Sequence, residues 1–422
     1  MQKIIAMIFA GGRVEELSAL TERRAKAAVI FAGTYRAIDF ALTNLANAGI
    51  GRVGILAQYR PSSLINHVGI GLAWDLVGTD RAVRFLSPYI GPDHGDWYKG
   101  PVDAIFQNID FIQKNNPEDV LIVSGDHVYN MDYLSFLSFH KERNADFSMA
   151  FKPVNDNPSR FGIGELNSAG QIVNFTEKPQ YPRTNLASIG VYLFKRKVLI
   201  EELQKASSQK KGKDPLYIHE IINNLIPKKS AYGYIFNGDW YYTRTIDEYY
   251  DFHQKLLGNP PQINLMEWKT RTNTSYRIPV ASRFLPGSVV ENSLISWGCT
   301  IEGTVRNSVL SPNVKVEKNA VITNSILWDD VVVREGATLD MVISDKRVEF
   351  GAYCTVGSGK LINNKEMPHS LTCGATLIGM DVVIPPKLKI GKNCIIHPEV
   401  KKDYLNKSVP SGESIYINKK GK

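Results

Sequence analysis

The feature that most constrains the fold is a regular spacing of aliphatic residues after about residue 280. In SVVENSLISWGCTIEGTVRNSVLSPNVKVEKNAVITNSILWDDVVVREGATL, aliphatic residues recur about every six positions, with small or turn-forming residues between them. This spacing is typical of a parallel β-helix, whose triangular coils bury aliphatic side chains against neighbouring coils. A β-sandwich with regular turns is the alternative. The predicted inward-facing residues are Val289, Ile295, Ile301, Val305, Val314, Val316, Val321 and Ile326.

The chain up to about residue 255 has a different periodicity. The runs IIAMIFA, RVGILAQ, DVLIVSGD, DFSMAFKPV and SIGVYLF predict strands, and AIDFALTNLANAGI and DAIFQNIDFIQKN carry apolar residues at helical spacing. This alternation predicts an α/β domain with a mostly parallel sheet, which binds ligands beyond the carboxyl ends of its strands. We expect that domain at residues 1–255, a linker at 256–280 and the β-helix domain at 281–422.

Composition excludes several classes of protein. The sequence contains no run of about eighteen apolar residues, so no membrane span is predicted. The segment MQKIIAMIFAGG is interpreted as a buried first strand rather than a signal peptide. The net charge of +8 is scattered, apart from lysine clusters at 210–213 and 419–420, and no nucleic-acid motif accompanies it. The four cysteines lack paired metal spacing, so we expect reduced thiols in a cytoplasmic protein.

Several residue types in the first half suit phosphate chemistry. Gly11 and Gly12 follow the first apolar run and can bring backbone N–H groups close to phosphate oxygens. Asp126, in SGDHVY, ends a predicted strand where a carboxylate can hold Mg²⁺. Lys178 can reach a sugar phosphate, and Tyr98 can form one side of a pocket for a base or a sugar. Three basic residues near the glycines can neutralise phosphates, although each alone also fits a solvated surface: Arg13, Arg24 and Lys26.

The order of these motifs resembles one family, ADP-glucose pyrophosphorylase (glucose-1-phosphate adenylyltransferase) of glycogen and starch synthesis. AGTYRAIDFALTNLANAGI, QYRPSSLINH, WYKGPVDAIFQN and GDHVYNMDY distinguish it from thymidylyl- and uridylyl-transferring relatives. The resemblance implies a Rossmann-like nucleotidyltransferase domain followed by a left-handed parallel β-helix. In the family reaction, glucose 1-phosphate attacks the α-phosphorus of ATP with Mg²⁺ present, and pyrophosphate leaves.

The resemblance also implies a role for each matching residue. Lys26 would act near the triphosphate, and Asp126 would hold the metal. Arg23 would contact a phosphorylated effector, with an exposed surface arginine as the alternative. The chain would assemble as a homo- or hetero-oligomer, a tetramer, with a pyrophosphorylase subunit. The implied nucleotide-binding residues are Gly11, Gly12 and Gln107. The implied sugar-phosphate-binding residues are Tyr98, Gly162, Glu177, Lys178 and Ser188.

Two motifs depart from the family pattern. The family reads Gly-Gly-x-Gly-Thr-Arg-Leu at its first turn, whereas this chain has Val14 for the third glycine and Glu16 for the triphosphate arginine. Later the family reads Trp-x-Asp-Val-Gly-Thr, whose Asp is the second metal carboxylate. Here Tyr242 stands at that Asp and Arg244 at the Gly.

These departures leave more than one hypothesis for function. The first is a weakly active or non-catalytic regulatory subunit that still binds glucose 1-phosphate or a related anionic metabolite. The alternatives are a fully active adenylyltransferase with substitute residues, a ligand-free scaffold, or a hexapeptide-repeat acyltransferase. The candidate histidines for an acyltransferase are His369 and His397, which we expect to be surface residues in loops.

Overall fold

The structure is a computed structural model that describes residues 4–89, 97–209, 217–273 and 279–417. The chain divides into two compact units: unit 1 is residues 1–12 with 37–242, and unit 2 is residues 13–36 with 243–422. These units differ from the linear domains proposed from the sequence, whose boundaries stay a prediction. Both lysine clusters, at 210–213 and 419–420, lie outside the described residues.

Unit 1 is built on a nine-stranded sheet that is mixed and mostly parallel, as predicted. The strand Leu186–Lys195 runs antiparallel to both of its long neighbours, and a hairpin pairs with its first residues. From one edge, the main path runs Ala82–Leu86, Arg52–Leu56, Ile4–Phe9, Asp119–Ser124, Leu186–Lys195, Phe147–Pro153 and Ala231–Ile235. The hairpin strands are Gly162–Leu166 and Ile172–Glu177. A separate two-stranded sheet pairs Val128–Tyr129 with Trp240–Tyr241.

The central strand Ile4–Phe9 explains where ligands can reach this sheet. Its residues 5 to 8 are fully buried, as expected for a parallel strand covered on both faces. Its last residue, Phe9, is paired with Leu56 on one side and Ser124 on the other. Three parallel strands therefore end at one level, and the residues that follow them share one edge of the sheet.

Helices cover the sheet because alternate side chains of its central strands are buried on each face. Ile5 and Met7 pack in a core with residues from four helices of unit 1, while Ala6 and Ile8 are buried on the other face. The helices of unit 1 are Ala37–Asn47, Ser62–Val68, Pro101–Gln107, Ile109–Asn115, Tyr133–Glu142, Arg196–Gln209 and Ile218–Leu225. Short 3-10 helices lie at Leu72–Trp74 and Pro158–Arg160.

Unit 2 contains the predicted left-handed parallel β-helix, with three parallel sheets as its faces. The first sheet comprises Arg283–Phe284, Thr300–Ile301, Lys315–Val316, Val332–Val333, Glu349–Phe350 and Val383–Ile384. The second comprises Val289–Glu291, Thr304–Arg306, Val321–Thr323, Thr338–Asp340, Thr355–Val356 and Lys389–Ile390. The third comprises Leu294–Ile295, Val309–Leu310, Ile326–Leu327, Val342–Ser344, Thr376–Ile378, Ile395–Ile396 and Ser414–Ile415.

The β-helix core corrects two residues of the predicted aliphatic pattern. The prediction that Val289 and Val321 face inward is wrong, since Val289 is 36% exposed and Val321 is partly exposed. In the second sheet Val305 pairs with Val290 on one side and Ile322 on the other, so the inward position falls one residue later. Ile295 is partly buried and packs against the core. The other predicted residues are buried: Ile301, Val305, Val314, Val316 and Ile326.

Unit 2 also contains elements outside the three β-helix sheets. Residues 13–36 include the helix Ala19–Glu22 and the paired strands Ile30–Phe31 and Tyr35–Arg36. Residues 357–375 form an insertion between the strands Thr355–Val356 and Thr376–Ile378. The remaining helices of unit 2 are Ile246–Lys255 and Leu265–Trp268, with 3-10 helices at Glu15–Leu17, Lys26–Ala28 and Lys402–Tyr404. Within the described part of the chain, no helix has the length and apolarity that a membrane span requires.

Candidate functional site

The glycine turn after the first strand leaves its backbone accessible. Gly11 accepts a hydrogen bond from the Tyr59 N–H at 3.2 Å. A Cβ atom on Gly11 would lie 2.9 Å from the Gln58 backbone nitrogen, so a larger residue would force the turn to shift. Gly12 is exposed and would have no atom within 4 Å of an added Cβ. A phosphate can therefore approach this turn closely from the side of Gly12.

Asp126 lies two residues beyond the strand Asp119–Ser124, at the same edge of the sheet as the glycine turn. The Ser124 hydroxyl donates to Asp126 Oδ1 at 2.5 Å, and His127 Nε2 lies 3.6 Å from the same oxygen. The Asp126 side chain is 22% exposed. The turn therefore presents one oriented carboxylate at its surface.

Tyr242 lies in a cluster of rings beside Asp126. Its ring centroid is 4.7 Å from that of His127, and its plane lies within 7° of the Trp240 plane at 6.3 Å. Phe161 contacts both, with centroids 5.2 Å from Trp240 and 6.1 Å from Tyr242. We call Phe161, Trp240, Tyr242 and His127 the aromatic wall.

Hydrogen bonds hold the aromatic wall in place. His127 Nδ1 lies 3.1 Å from the Trp240 indole nitrogen and 3.0 Å from the Ile189 carbonyl oxygen, and His127 Nε2 faces Asp126. Trp240 also pairs with Tyr129 in the two-stranded sheet. Sequence analysis missed Phe161, which gave no signal beyond one aromatic residue before a glycine.

The predicted sugar-phosphate residues converge next to Phe161. Gly162 pairs with Glu177 across the hairpin, and an added Cβ at Gly162 would lie 2.8 Å from Glu177 Oε2. The Lys178 N–H donates to the Phe161 carbonyl at 3.1 Å. Lys178 Nζ is 3.7 Å from Glu177 Oε1, and their side chains are 51% and 39% exposed. The hairpin end thus presents a carboxylate and an ammonium group side by side.

Ser188 lies on the strand Leu186–Lys195, where the register shifts between Ser188 and Tyr192. The Gly190 N–H donates to Ser188 Oγ at 3.4 Å, and the Tyr192 hydroxyl lies 3.5 Å from that oxygen. An added Cβ at Gly190, whose φ is +70°, would lie 3.3 Å from His127 Cε1. Burial raises the pKa of Tyr192 to about 12, which keeps this hydroxyl protonated. The change in strand register at Gly190 therefore brings the strand of Ser188 next to His127 of the aromatic wall.

Tyr98 lies near the glycine turn through Gln58, a residue that sequence analysis missed, and Gln107 ends the helix Pro101–Gln107. Gln58 accepts a hydrogen bond from the Tyr98 N–H at 2.6 Å, and its backbone adjoins Gly11. Asn108 donates to the Tyr98 hydroxyl at 2.8 Å, while burial raises the pKa of Tyr98 to about 12. Gln107 is 6% exposed; its Nε2 donates to Asp103 at 2.9 Å, and its Oε1 finds no partner among the described residues.

The basic residues of residues 13–36 belong to unit 2, where the structure contradicts one prediction. Arg24 is 2% exposed and donates to both oxygens of Asp345, at 2.7 and 2.8 Å, so it stabilises unit 2 rather than neutralising a phosphate. Its guanidinium also lies 4.9 Å from the Trp328 ring centroid. Arg23 pairs with Glu399 at 2.7 Å with its side chain 31% exposed. Lys26 is 1% exposed.

The two motif departures in unit 2 form one ion pair. Arg244 Nε donates to Glu16 Oε1 at 2.9 Å, and Arg244 Nη2 lies 2.7 Å from the same oxygen. The two side chains are 38% and 34% exposed. The Arg244 N–H donates to Glu248 at 2.7 Å, at the start of the helix Ile246–Lys255. The sequence signal for this ion pair was that the two motif positions, 16 and 244, carry residues of opposite charge.

His397 corrects the expectation of a surface histidine, since it is 6% exposed. Its Nδ1 lies 2.5 Å from Glu22 Oε1, its Nε2 lies 3.0 Å from Glu366 Oε2, and its ring stacks on Tyr416 at 4.0 Å. Burial alone would lower the pKa of His397, but the two carboxylates outweigh it and raise that pKa to about 9. A histidine that donates from both nitrogens cannot serve as the base of an acyltransferase.

Two further expectations for unit 2, an exposed His369 and unpaired cysteines, agree with the structure. His369 is exposed, as expected. All four cysteines are free thiols, and three of them are buried in the β-helix.

The donor set of unit 1 fits a two-carboxylate metal site poorly. Asp126 supplies one carboxylate, and Tyr242, whose ring packs against that of His127, has no carboxylate oxygen to offer. Within residues 4–89, 97–209, 217–273 and 279–417, no group of three or more His, Cys, Asp or Glu side chains can hold a metal ion. Nucleotidyltransferases typically use a divalent metal, so this site departs from that pattern.

Comparisons with known proteins match both halves of the chain. The family model of nucleotidyl transferases matches residues 5–259, and that of GlmU-like C-terminal hexapeptide proteins matches residues 285–373. The chain is 38% identical to the glucose-1-phosphate adenylyltransferase of Acetivibrio thermocellus, over 98% of both chains. It is 41% identical to that of Thermomicrobium roseum over 98% of both chains, and 40% identical to that of Thermotoga maritima over 99% of both.

Proposed function

Because this chain belongs to the glucose-1-phosphate adenylyltransferase family, we propose that it binds the family's substrates but turns them over weakly or not at all. Those substrates are ATP and glucose 1-phosphate. In this proposal the chain is a regulatory-type subunit that assembles with an active pyrophosphorylase subunit in the cytoplasm. Its pathway is glycogen or starch synthesis.

One observation carries this proposal, the ring of Tyr242 beside a single carboxylate at Asp126. A divalent metal bound here would neutralise phosphate charge with Asp126 as its one carboxylate ligand. Losing one preorganised charge contact in an active site typically lowers the rate by about two to three decades. Such losses need not add, but a tyrosine side chain does not supply the charge of a carboxylate.

The Glu16–Arg244 pair supports the same proposal. Where the family has an arginine for the triphosphate, this chain has a carboxylate that takes two contacts from Arg244. A carboxylate repels phosphate, and the guanidinium that would offset it is engaged with that same carboxylate. Position 16 therefore contributes no net positive charge toward ATP.

The binding residues of unit 1 support retention of the ligands. Glu177, Lys178 and Ser188 present a carboxylate, an ammonium group and a hydroxyl within one hairpin and its neighbouring strand. The buried Oε1 of Gln107 can accept a hydrogen bond from an exocyclic amino group such as that of adenine. Gly11 and Gly12 leave room for phosphates. Lys26 near the triphosphate and Arg23 at an effector remain part of the proposal.

A second candidate is an active adenylyltransferase in which Arg244 replaces the missing arginine. The observation that favours it is the position of the Arg244 guanidinium, 2.7 Å from the carboxylate that stands at the family's arginine. In that case Arg244→Gln would abolish turnover. Under the first proposal the same variant changes a rate that is already low.

The test is pyrophosphate release by the purified full chain with ATP, glucose 1-phosphate and Mg²⁺. We expect turnover at least about 100-fold below that of family enzymes assayed in parallel, consistent with the loss of one charge contact. The matched control is an active relative such as the Thermotoga maritima enzyme. Turnover within about tenfold of that control would overturn the proposal. A tenfold decrease in rate is smaller than the decrease expected from losing one such contact.

A further inference from the structure

We propose that the aromatic wall of unit 1 is a platform for the apolar face of a hexose 1-phosphate, and that this chain binds such a ligand without a divalent metal. The inference rests on the sugar-phosphate site of the proposed function. It adds Tyr242 as the residue on which the sugar ring packs, and it gives a role to the tyrosine that stands where the family has a carboxylate.

The aromatic wall adjoins the polar groups that would hold the rest of the ligand. Phe161 belongs to the wall through its ring, and its carbonyl accepts the N–H of Lys178 at 3.1 Å. The next residue, Gly162, lies so close to Glu177 that an added Cβ would fall 2.8 Å from the carboxylate. The ring surface and the charged groups are thus joined through two consecutive residues, Phe161 and Gly162.

Tyr242 is the member of the wall best placed to meet a ligand. Trp240 is 8% exposed and its plane lies nearly parallel to that of Tyr242 with 6.3 Å between the ring centroids, whereas Tyr242 itself is partly exposed. The Trp240 indole N–H is already donated to His127 Nδ1. The His127 and Tyr242 rings meet edge to face, with 4.7 Å between their centroids and 69° between their planes. Tyr242 is therefore supported by two neighbours, which lowers the entropy lost when a ligand packs on it.

The chemistry of these groups matches a hexose 1-phosphate. An aromatic face carries partial negative charge and attracts the weakly positive C–H groups on one face of a pyranose ring. The Glu177 carboxylate can accept hydrogen bonds from sugar hydroxyl groups, and the Lys178 ammonium group can pair with the phosphate. These contacts satisfy the sugar and the phosphate without a metal ion.

The donor set also argues for metal-independent binding. A carboxylate at position 242 would attract a cation, whereas a tyrosine ring in contact with His127 offers apolar surface. Asp126 accepts the Ser124 hydroxyl at 2.5 Å, which satisfies part of its charge within the turn. Because position 242 has an aromatic residue instead of an acid, it can pack against a sugar but cannot bind a metal ion through a carboxylate.

Calorimetric titration of glucose 1-phosphate into the full chain, once with Mg²⁺ and once with EDTA, tests the inference. We expect the two dissociation constants to agree within about twofold, since no step of binding uses the metal. Tyr242→Phe keeps the ring and should bind like the wild type. Tyr242→Leu and Tyr242→Ala should bind about tenfold more weakly, because they remove the aromatic face.

Two further variants sharpen the experiment. Tyr242→Asp should bind more weakly in EDTA and regain affinity when Mg²⁺ is added. Tyr353→Ala, which removes an exposed tyrosine of the β-helix in unit 2, should bind like the wild type. Near-ultraviolet circular dichroism of each variant checks folding, and Tyr242→Leu keeps the volume of the site if Tyr242→Ala unfolds.

Several outcomes would overturn the inference: no binding by the wild type, wild-type binding that EDTA abolishes, or unchanged affinity in Tyr242→Leu. A loss of ATP affinity with unchanged glucose 1-phosphate affinity would assign the wall to the base instead. Failure of the proposed function is separate from these results. Full turnover together with metal-independent binding would overturn only the proposed function, and absent turnover with metal-dependent binding only the inference.

Discussion

Two ion pairs, one in each unit, differ in how deeply they are buried. In unit 1, Glu177 and Lys178 lie 3.7 Å apart at the end of a hairpin with about half of each side chain exposed. In unit 2, Arg24 and Asp345 form a two-pronged pair whose side chains are 2% and 0% exposed. The Glu177–Lys178 pair thus lies where a ligand can reach it, whereas the Arg24–Asp345 pair stabilises the fold of unit 2.

This difference explains why similar motif residues have different roles. Residues 13–36 carry a series of ionic contacts to other parts of unit 2, of which the Arg24–Asp345 pair is buried, whereas Glu177 and Lys178 of unit 1 remain partly open to solvent. A sequence motif specifies the residue types but not their burial. The contacts in the series are Glu16 with Arg244, Glu22 with His397, Arg23 with Glu399, and Arg24 with Asp345.

The largest effect on stability is expected at Arg24. Arg24→Ala leaves the Asp345 carboxylate buried without its guanidinium, which should cost about 3 to 5 kcal/mol of unfolding free energy. Chemical denaturation measures this change. The matched control is Arg347→Ala, which removes a two-pronged but exposed partner of Asp381 and should cost no more than about 1 kcal/mol. Equal losses in the two variants would contradict the contrast between buried and exposed pairs.

The next largest effect is a pH dependence of stability at His397. Its pKa is about 9 in the folded protein against an ordinary value of 6.5, so its stabilisation is complete below pH 6.5 and is lost as the pH rises to about 9. Burial alone would raise the pKa of Glu366, but its hydrogen bonds with His397 and Tyr416 lower it from 4.5 to about 2. That contribution is present above pH 4.5 and is lost as the pH falls toward 2.

Thermal unfolding between pH 4.5 and 9 checks this prediction. The wild type should lose on the order of 3 kcal/mol of stability between pH 6.5 and 9. His397→Gln, which keeps hydrogen-bonding groups but cannot be protonated, should show a much flatter profile over that range. A wild-type profile as flat as that of the variant would mean that His397 is not charged in the folded protein.

A smaller effect is expected for ligand binding at Lys178. Lys178→Gln removes one charge-assisted contact with phosphate and should weaken glucose 1-phosphate binding about 10- to 100-fold. Lys197→Gln, at an exposed lysine of the same unit, is the control and should leave affinity unchanged. Unchanged affinity in Lys178→Gln would remove Lys178 from the site and weaken the contrast between the two units.

The smallest effect is expected for the stability provided by the Glu16–Arg244 pair. Because both side chains are about one third exposed, solvent screens the pair, and a double-mutant cycle with Glu16→Gln and Arg244→Gln should give a coupling of about 0.5 to 1 kcal/mol. Urea denaturation of the four proteins gives this number. A coupling near zero would mean that the two side chains do not interact in solution.

The sequence predicts the fold class of both halves because hydrophobic periodicity reflects burial directly. Strand–helix alternation predicts the mostly parallel sheet, and aliphatic spacing predicts the β-helix. The pattern fails at Val289 and Val321, where two adjacent aliphatic residues made either one a plausible inward position. Only strand pairing selects between neighbours.

The site is less predictable from sequence than the fold. Residue types and the family resemblance suggested Asp126 and Lys178, whose neighbours are also close in sequence. Asp345, the partner of Arg24, and Glu22, one of the two partners of His397, lie more than 300 residues away along the chain, so no local pattern reveals them. Phe161 and Gln58 matter through a ring contact and a backbone contact, which residue type does not encode.

The central claim is that changed residues, not a changed fold, limit turnover, and restoring the family motifs tests it most directly. The structure shows that Arg244 must change with Glu16, since an arginine at position 16 would face the guanidinium of Arg244. We predict that Glu16→Arg, Tyr242→Asp and Arg244→Gly together raise pyrophosphate release at least about 100-fold over the wild type. A wild type that already matches family enzymes, or a triple variant that folds but gains nothing, would contradict the account.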